Sequence, residues 1–413
     1  MSVNDMTIEQ GAAILSLIVR QMSGDQLATV GVGQITSVGQ NMLRQGYDPL
    51  NTAVSQVLAK TIVSSRPYTG QLRDLLRDDL KWGGMIRKIN YIDGVLEDGQ
   101  SLYLTGTTPY VDGDVPTPDQ YAIRKVATWQ SNFYGSYLVQ RVVTRWITQL
   151  RTAFESPEAW TRFLGGQMQN VNNQLEQVGD AKARQALINY IGGKLTLETD
   201  NDPSTHVIHL ITEYNAQTGS SITAANYRAP ANYKSFVEWL YARIATLVQY
   251  LAERSHKYNF SPTIGGSKRN ILRNTPKSLV RGYMIGEAFN QIQAMAISEV
   301  FQADRLQMVE LRPINYWQSE DDPYNIDAEV TVNDTSVNIT GSATNDLKTA
   351  AVKTTAPVLG VLFDDEAIGT SIWEESVLTT PVHITGQYSN TSYNFRYGVY
   401  NDFTESGVVL MLD

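Results

Sequence analysis

Residues 154–193 read FESPEAWTRFLGGQMQNVNNQLEQVGDAKARQALINYIGG and predict a long helix. Ser156, Pro157 and Glu158 form a strong start, because a hydroxyl can cap free N–H groups, proline suits the first turn and an acid favours the positive end of the helix dipole. Apolar side chains then recur every three or four residues, at Trp160, Leu164, Met168, Val171, Leu175 and Val178. The first part alone would span about 35 Å, which is long for a globular enzyme. We expect one break between Gly179 and Ile191.

The segment before this helix has weaker signals. Thr7 and Gln10 make a capping-box pattern that predicts a helix over 8–22, and a second helix is predicted over 51–63. Between them, VGVGQITSVGQ is rich in glycine and poor in large side chains, so we expect it to hold no core. Residues 1–70 therefore resemble an extended arm more than a domain.

Strand patterns surround a long excursion in the next part of the chain. MIRKINYI at 85–92 and YAIRKVATW at 121–129 alternate in polarity, and about 25 residues dense in glycine, proline and aspartate lie between them. We expect a long hairpin. Further on, helices are predicted over 233–254 and 287–301, with strands in SLVRGYMIG, DAEVTVNDTSVNIT and APVLGVLF. The first of these helices carries an apolar stripe on one side: Phe236, Leu240, Ile244, Leu247, Val248 and Leu251. The last 35 residues predict a pair of strands, which makes the chain α+β.

Composition limits the class of protein. A chain of 413 residues that is 42% hydrophobic and 18% charged can bury real cores and is too apolar for general disorder. It contains no cysteine, which excludes disulfides, thiolate metal sites and a cysteine nucleophile. We expect neither an export signal nor a membrane span, because acids precede the N-terminal apolar run and no run reaches about 18 apolar residues.

Charge is unevenly distributed. The formal net charge of −9 argues against a protein built mainly to bind phosphates. Residues 89–123 and 313–347 carry six and seven acids without a base, whereas 254–286 carries seven bases without an acid. Such blocks are usually solvated loops, and they could also be complementary surfaces.

Few residues point to catalysis or metal binding. Asp364, Asp365 and Glu366 follow a buried strand, and we interpret them as structural: one aspartate caps a new helix and Glu366 lies in its first turn. His206, His209 and Glu213 have a spacing that could bind a metal on a helix, but HVIHLIT favours a strand, where positions three apart point to opposite faces. We expect no cofactor and no metal site.

The order of elements resembles the major capsid proteins of tailed bacteriophages, the Hong Kong 97-type fold, and is closest to those of small podoviruses with protein-primed replication. The resemblance rests on KWGGMIRKINYIDG, ATWQSNFYGSYLVQRVV, the helix quoted above and GVLFDDEAIGTSIWEESVLTTPVHITGQYSNTSYNFRYGVYNDF. It covers 75–195 and 355–413; elsewhere only the order of elements supports it. It implies an N-terminal arm over 1–75, an E-loop hairpin with P-domain strands over 76–145, a spine helix with P-domain over 146–200, an A-domain over 201–355 and C-terminal P-domain strands over 356–413.

The resemblance also implies a function. It predicts a non-enzymatic capsid protein in the virion, made in the host cytoplasm, which forms pentamers and hexamers of an icosahedral shell around double-stranded DNA, without sequence-specific DNA binding and without a membrane. Scaffolding and portal proteins are expected partners. Neither the Lys–Asn cross-linking found in part of the family nor the Ig-like C-terminal domain of many podovirus members is expected, since no motif supports the first and the sequence ends after the aromatic strands.

The residues that we expect to be functional lie in the charged blocks. In the family the loop reaches over an adjacent subunit, so we expect contacts between subunits at charged residues of the hairpin tip and of the basic block: Glu97, Asp98, Asp112, Asp114, Lys268, Arg269, Arg273 and Lys277. The 313–347 block is an alternative partner for the bases. Two other functions stay open at this point: a hydrolase with paired carboxylates and a ring-forming virion adaptor.

Overall fold

The computed structural model describes residues 7–24, 27–64, 72–77, 85–92, 127–134, 137–201, 206–259, 263–264, 267–268, 272–299, 310–337, 343–353 and 356–413. The helices are α1 (Ile8–Ser23), α2 (Ile35–Gln45), α3 (Tyr47–Ser64), α4 (Ile147–Ala153), α5 (Pro157–Asn201), α6 (Leu210–Thr218), α7 (Pro230–Ala252) and α8 (Gly286–Glu299). Single 3-10 turns lie at Val32–Gln34, Arg73–Leu75 and Lys277–Leu279.

The strands confirm the α+β prediction. They are β1 (Leu76–Arg77), β2 (Met85–Ile92), β3 (Ala127–Tyr134), β4 (Tyr137–Trp146), β5 (Val207–His209), β6 (Thr263–Ile264), β7 (Ser267–Lys268), β8 (Val280–Ile285), β9 (Glu310–Ile314), β10 (Asp327–Val337), β11 (Ala343–Lys353), β12 (Val358–Asp364), β13 (Ile368–Thr379), β14 (Tyr388–Asn401) and β15 (Gly407–Met411).

The chain forms two compact units, each built from separate segments. The first unit comprises 1–85, 134–190 and 368–401, and the second comprises 86–133, 191–367 and 402–413. The five-part division predicted from the sequence is finer than this one and stays a prediction.

The first unit is a sheet covered by helices on one face. Its strand order is β1-β13-β14-β4, with β14 antiparallel to both neighbours. The aromatic residues Tyr393, Phe395 and Tyr397 of β14 share one buried core with residues of α1, α3 and α5: Leu15, Ile18, Leu50, Val54, Trp160 and Leu164. The N-terminal helices thus contribute to the core of the sheet unit, with the capping box of Thr7 and Gln10 in place.

A buried arginine also lies in the first unit. Arg145 of β4 is 1% exposed, and its guanidinium donates to the hydroxyls of Thr391 (2.9 Å) and Tyr393 (2.7 Å) on β14. Asn51 of α3 contributes a further, longer contact at 3.5 Å. Because a buried charge must be hydrogen-bonded, these groups connect the sheet and α3 through polar contacts inside an apolar core.

The second unit is built on a mixed sheet of order β5-β15-β12-β8-β9. Strand β12 is buried along its whole length and pairs antiparallel with β8 and β15. Helix α7 covers this sheet with the apolar stripe predicted from the sequence: Phe236, Leu240, Ile244, Leu247, Val248 and Leu251. The strands β2 and β3 pair as the predicted hairpin stem, and β10 pairs with β11.

Two local predictions are wrong. Helix α5 runs for 45 residues without the break expected between Gly179 and Ile191, and α2 forms in the glycine-rich segment, where Ile35 and Met42 are buried. In both cases tertiary packing outweighs local propensity, which amounts to only about 1 kcal/mol for a glycine inside a helix. The two strands predicted for the last 35 residues are present as β14 and β15, and they belong to different sheets.

One glycine of α5 has a packing role. A Cβ at Gly193 would lie 2.3 Å from the ring of Phe403, whereas a Cβ at Gly166 in the same helix would meet nothing within 4 Å. We expect Gly193→Ala to lower the free energy of unfolding by about 1–3 kcal/mol through overpacking. Gly166→Ala should raise it by up to about 1 kcal/mol through helix propensity. Urea unfolding measures both, and equal effects would contradict the assigned contact.

Candidate functional site

The base of the β2–β3 hairpin carries a cluster of charged side chains in the second unit. Lys88 of β2 places its Nζ 3.0 Å from Asp402 Oδ2, 2.5 Å from Glu405 Oε1 and 3.1 Å from Glu366 Oε2. Asp402 and Glu405, which lie between β14 and β15, are only 2% and 6% exposed. Burying a carboxylate without a cation is unfavourable in free energy, so the ion pairs of Lys88 connect the first hairpin strand to the Asp402–Glu405 segment.

Two more cations approach the same acids. Arg273 Nη2 lies 3.2 Å from Glu405 Oε1, and its Nε donates to the Thr404 carbonyl at 3.4 Å. Lys194 of α5 is completely buried, and its Nζ donates to the backbone oxygens of Tyr258 (3.2 Å) and Glu405 (3.4 Å). The cluster therefore joins a hairpin strand, a long helix and the start of the last strand.

The protonation of the cluster follows from burial and pairing. Burial alone would lower the pKa of Lys88, but the nearby Asp402 and Glu405 raise it above its ordinary value overall. Burial lowers the pKa of Lys194 to about 7, against the attraction of the same two acids. Burial also raises the pKa of Glu405, which Lys88 and Arg273 oppose. Lys88 thus stays charged at neutral pH, whereas Lys194 titrates there.

The titration of Lys194 predicts a pH effect on stability. The unfolded chain holds this proton up to the ordinary pKa of 10.5, whereas the folded chain releases it near 7. Between these values the unfolded state binds more protons, so Lys194 makes the free energy of unfolding rise with pH, by at most about 1.4 kcal/mol per pH unit. Wild type should therefore gain stability relative to Lys194→Met between pH 7 and 10, and the difference should be constant between pH 5 and 6. Urea unfolding at each pH tests this, and parallel curves above pH 7 would contradict it.

The prediction that eight charged residues contact other subunits stays a prediction. Glu97, Asp98, Asp112, Asp114 and Arg269 lie outside the described residues, and Lys268 is described only as backbone in β7. Lys277 is exposed in a 3-10 turn. Arg273 is partly buried and pairs with Glu405 of its own chain.

The acidic triplet forms a turn and not the start of a helix. Asp364 Oδ1 accepts from the Glu366 backbone N–H at 2.8 Å, and its Oδ2 accepts from the Thr275 hydroxyl at 2.7 Å. Asp365 pairs with Arg281 at 2.5 Å, and Glu366 with Lys88. The predicted helix cap is wrong, because strand β13 follows at once, but each acid has a structural partner.

The strand predicted over HVIHLIT is confirmed only for Val207–His209, because helix α6 begins at Leu210 and includes Glu213. His206 is buried immediately before β5, and His209 ends it with Nδ1 2.7 Å from the Asp413 carboxylate. Among the described residues, no three His, Asp or Glu side chains are grouped so that they could bind a metal. In the same part of the chain, no helix has the length and hydrophobicity needed to cross a membrane.

The charged cluster itself was not predicted from the sequence. Lys88 looked like an ordinary polar position of an alternating strand, and Asp402 and Glu405 are more than 300 residues away from it. The available signal was the stretch NDFTES, whose two acids lie between two strongly apolar or aromatic strands where burial is expected.

Comparison with solved structures identifies the fold. The chain matches a structure described as the capsid of Staphylococcus phage Andhra, with a TM-score of 0.50, 10% identity and coverage of 84% of this chain and 86% of that one. It also matches a chain in the structure described as the head fiber and inner core protein gp22 of native bacteriophage P68, with a TM-score of 0.51, 10% identity and the same coverage. No protein-family profile and no curated protein matches the sequence. The prediction of a capsid-type α+β fold is confirmed.

Proposed function

We propose that this chain is the major capsid protein of a tailed bacteriophage, a structural protein that assembles into an icosahedral shell around double-stranded DNA. The observation that carries the proposal is the fold shared with the Andhra capsid structure along 84% of the chain. A fold can host several functions, so the physical features of the chain must also agree with this one.

The chemistry of the chain is compatible with a shell. Its net charge of −9 would keep the protein from binding tightly to the DNA that it encloses, because affinity for phosphates comes largely from lysine and arginine. The charged cluster makes contacts that position structural elements: Lys88 holds the hairpin stem and Lys194 holds α5. On this proposal the protein is not an enzyme and needs no cofactor.

The resemblance in the sequence adds finer features to the proposal. The shell is built of pentamers and hexamers of this chain, in a virion of the podovirus type, with scaffolding and portal proteins as partners during assembly in the host. The two alternatives from the sequence, a carboxylate hydrolase and a ring-forming adaptor, have no specific observation in their favour, since the acids of the triplet are each engaged in structural contacts.

Negative-stain electron microscopy of the purified chain, with a scaffolding protein co-expressed where needed, tests the proposal. Closed shells of uniform diameter are the expected result. Small rings would replace the proposal with the adaptor function. A chain that stays monomeric at high concentration in both preparations would overturn it.

The charged blocks remain proposed contacts between subunits. Arg273 is left unchanged in the test below, because it also pairs with Glu405 of its own chain. Changing Lys268, Arg269 and Lys277 together to Glu should slow assembly while leaving the monomer folded, because charges at the edge of an interface act mainly on the encounter rate. Reversing Glu97, Asp98 and Asp112 to Lys in the same chain should recover part of the rate. Light scattering at low and high salt measures the assembly rates of both variants. An unchanged rate for the first variant at low salt would contradict the proposed contact.

A further inference from the structure

Strand β4 forms a long edge of the sheet in the first unit. All ten of its residues, Tyr137–Trp146, pair with Tyr388–Tyr397 of β14 on one side. On its other side, no strand of the described part of the chain pairs with it. An edge of this length presents a row of backbone donors and acceptors that can pair with another chain, and soluble proteins usually protect such edges with charges or bulges.

The exposed face of β4 has a regular pattern. Val139 and Val143 pack against the core and Arg145 is buried, so the alternate residues point to the opposite face. On that face Leu138, Val142 and Trp146 are 59%, 47% and 46% exposed. They are separated by the polar residues Gln140 and Thr144. Apolar and polar residues therefore alternate along this face, and their order is the same in both directions from Val142.

The geometry points to a two-fold contact in which β4 pairs antiparallel with β4 of a second copy, centred on Val142. This inference rests on the proposed function and names the partner of one surface of the shell subunit. In this register Val142 faces its own copy, Leu138 faces Trp146 and Gln140 faces Thr144, so each apolar side chain meets an apolar one. A two-fold axis requires such a self-complementary surface, because the same patch is used twice.

Other registers fit less well. Centring the pair on Arg141, which is exposed, would place two guanidinium groups opposite each other, and like charges directly opposite are destabilising in a sheet. Centring it on Gln140 would carry Thr144 and Trp146 beyond the start of the partner strand at Tyr137. The register on Val142 pairs residues 138–146 and places Arg141 opposite Val143.

The contact is small. One pair of edge strands covers less than the roughly 1,200 Å² at the lower end of standard protein interfaces. It should therefore be weak between two free subunits and become populated where many copies are held together. This explains how an apolar edge can remain on a chain that is otherwise soluble before assembly.

The absence of native cysteine makes a cross-linking test unambiguous. In the proposed register, Val142→Cys places two thiols opposite each other, where Cβ atoms lie about 4.5–5.5 Å apart. Gln140→Cys has a comparable exposed position on the same face, but its two copies would be about 14 Å apart along the strands. Mild oxidation of assembled particles should give disulfide-linked dimers with Val142→Cys and at least tenfold fewer with Gln140→Cys. The double variant Gln140→Cys/Thr144→Cys should restore the dimers.

The outcomes separate this inference from the proposed function. Shells that give no Val142→Cys dimers, or equal amounts with Gln140→Cys, would overturn the inference and leave the capsid function standing. If no shells form, the capsid function fails. The same three cysteine variants are then oxidised at high concentration in solution. Dimers with Val142→Cys and with the double variant, but at least tenfold fewer with Gln140→Cys, would support the contact, and any other pattern would contradict it. A Val142→Arg variant with unchanged melting temperature and at least tenfold lower shell yield would support the contact, and normal yield would count against it.

Discussion

Trp160→Ala should lower the free energy of unfolding by about 3–5 kcal/mol, the usual cost of deleting a buried tryptophan side chain. Trp160 of α5 is fully buried and stacks on Phe154 with ring centroids 4.6 Å apart. Its indole Nε1 donates to the backbone oxygen of Gly11 in α1 at 3.2 Å. The substitution therefore leaves a cavity and also removes a hydrogen bond between the first helix and the long helix. Urea unfolding followed by circular dichroism measures the loss.

Trp160→Phe is the matched control. It keeps most of the aromatic volume and removes the indole N–H, so we expect a loss of about 1–2 kcal/mol from the lost hydrogen bond to Gly11 and the smaller ring. If Trp160→Ala cost less than about 1 kcal/mol, the helices α1 and α5 would not share the core described for the first unit.

Lys88→Met should lower the free energy of unfolding by about 3 kcal/mol, because it removes the cation closest to two buried acids. Asp402 and Glu405 would keep Arg273 and Lys194 as neighbours, so the loss should be smaller than for an isolated buried pair. Lowering the pH until Glu405 is protonated should reduce the difference from wild type, because burial raises the pKa of this carboxyl and the protonated group no longer needs the cation.

Lys234→Met is the control for charge removal. Lys234 also pairs with a glutamate, Glu238, at 3.7 Å, but both side chains are about half exposed or more. Such surface pairs contribute about 0.3–0.5 kcal/mol. Equal losses for Lys88→Met and Lys234→Met would mean that the cluster at the base of the hairpin contributes no more than a surface ion pair.

The sequence predicted the elements with strong periodic signals. The capped helices α1 and α5, the apolar stripe of α7 and the buried strand β12 all follow from local patterns. Local patterns failed where distant residues decide the structure. Gly193 lies inside α5 because the ring of Phe403 occupies the space of a side chain, and nothing near Gly193 in the sequence reveals that ring.

The buried polar contacts could not be predicted from the sequence either. Arg145 lies in a strand, and the alternating pattern alone does not decide to which face of the sheet its side chain points. Its partners Thr391 and Tyr393 come from the last part of the chain. The same is true of Lys88 with Asp402 and Glu405. Short-range periodicity reports which face is buried, but it does not report which charged residue is buried with a partner.

The order of strands in the two sheets has a consequence for synthesis on the ribosome. Strand β15 pairs with both β5 and β12, and β14 pairs with both β4 and β13, so each sheet has one inner strand that is translated after both of the strands that flank it. The N-terminal helix α1 emerges more than 350 residues before the aromatic strand that completes its core. At about 5–20 residues per second, this core stays incomplete for roughly 20–70 seconds. Contacts of such long range also slow folding itself, so the newly made chain should depend on chaperones or on low concentration to avoid aggregation.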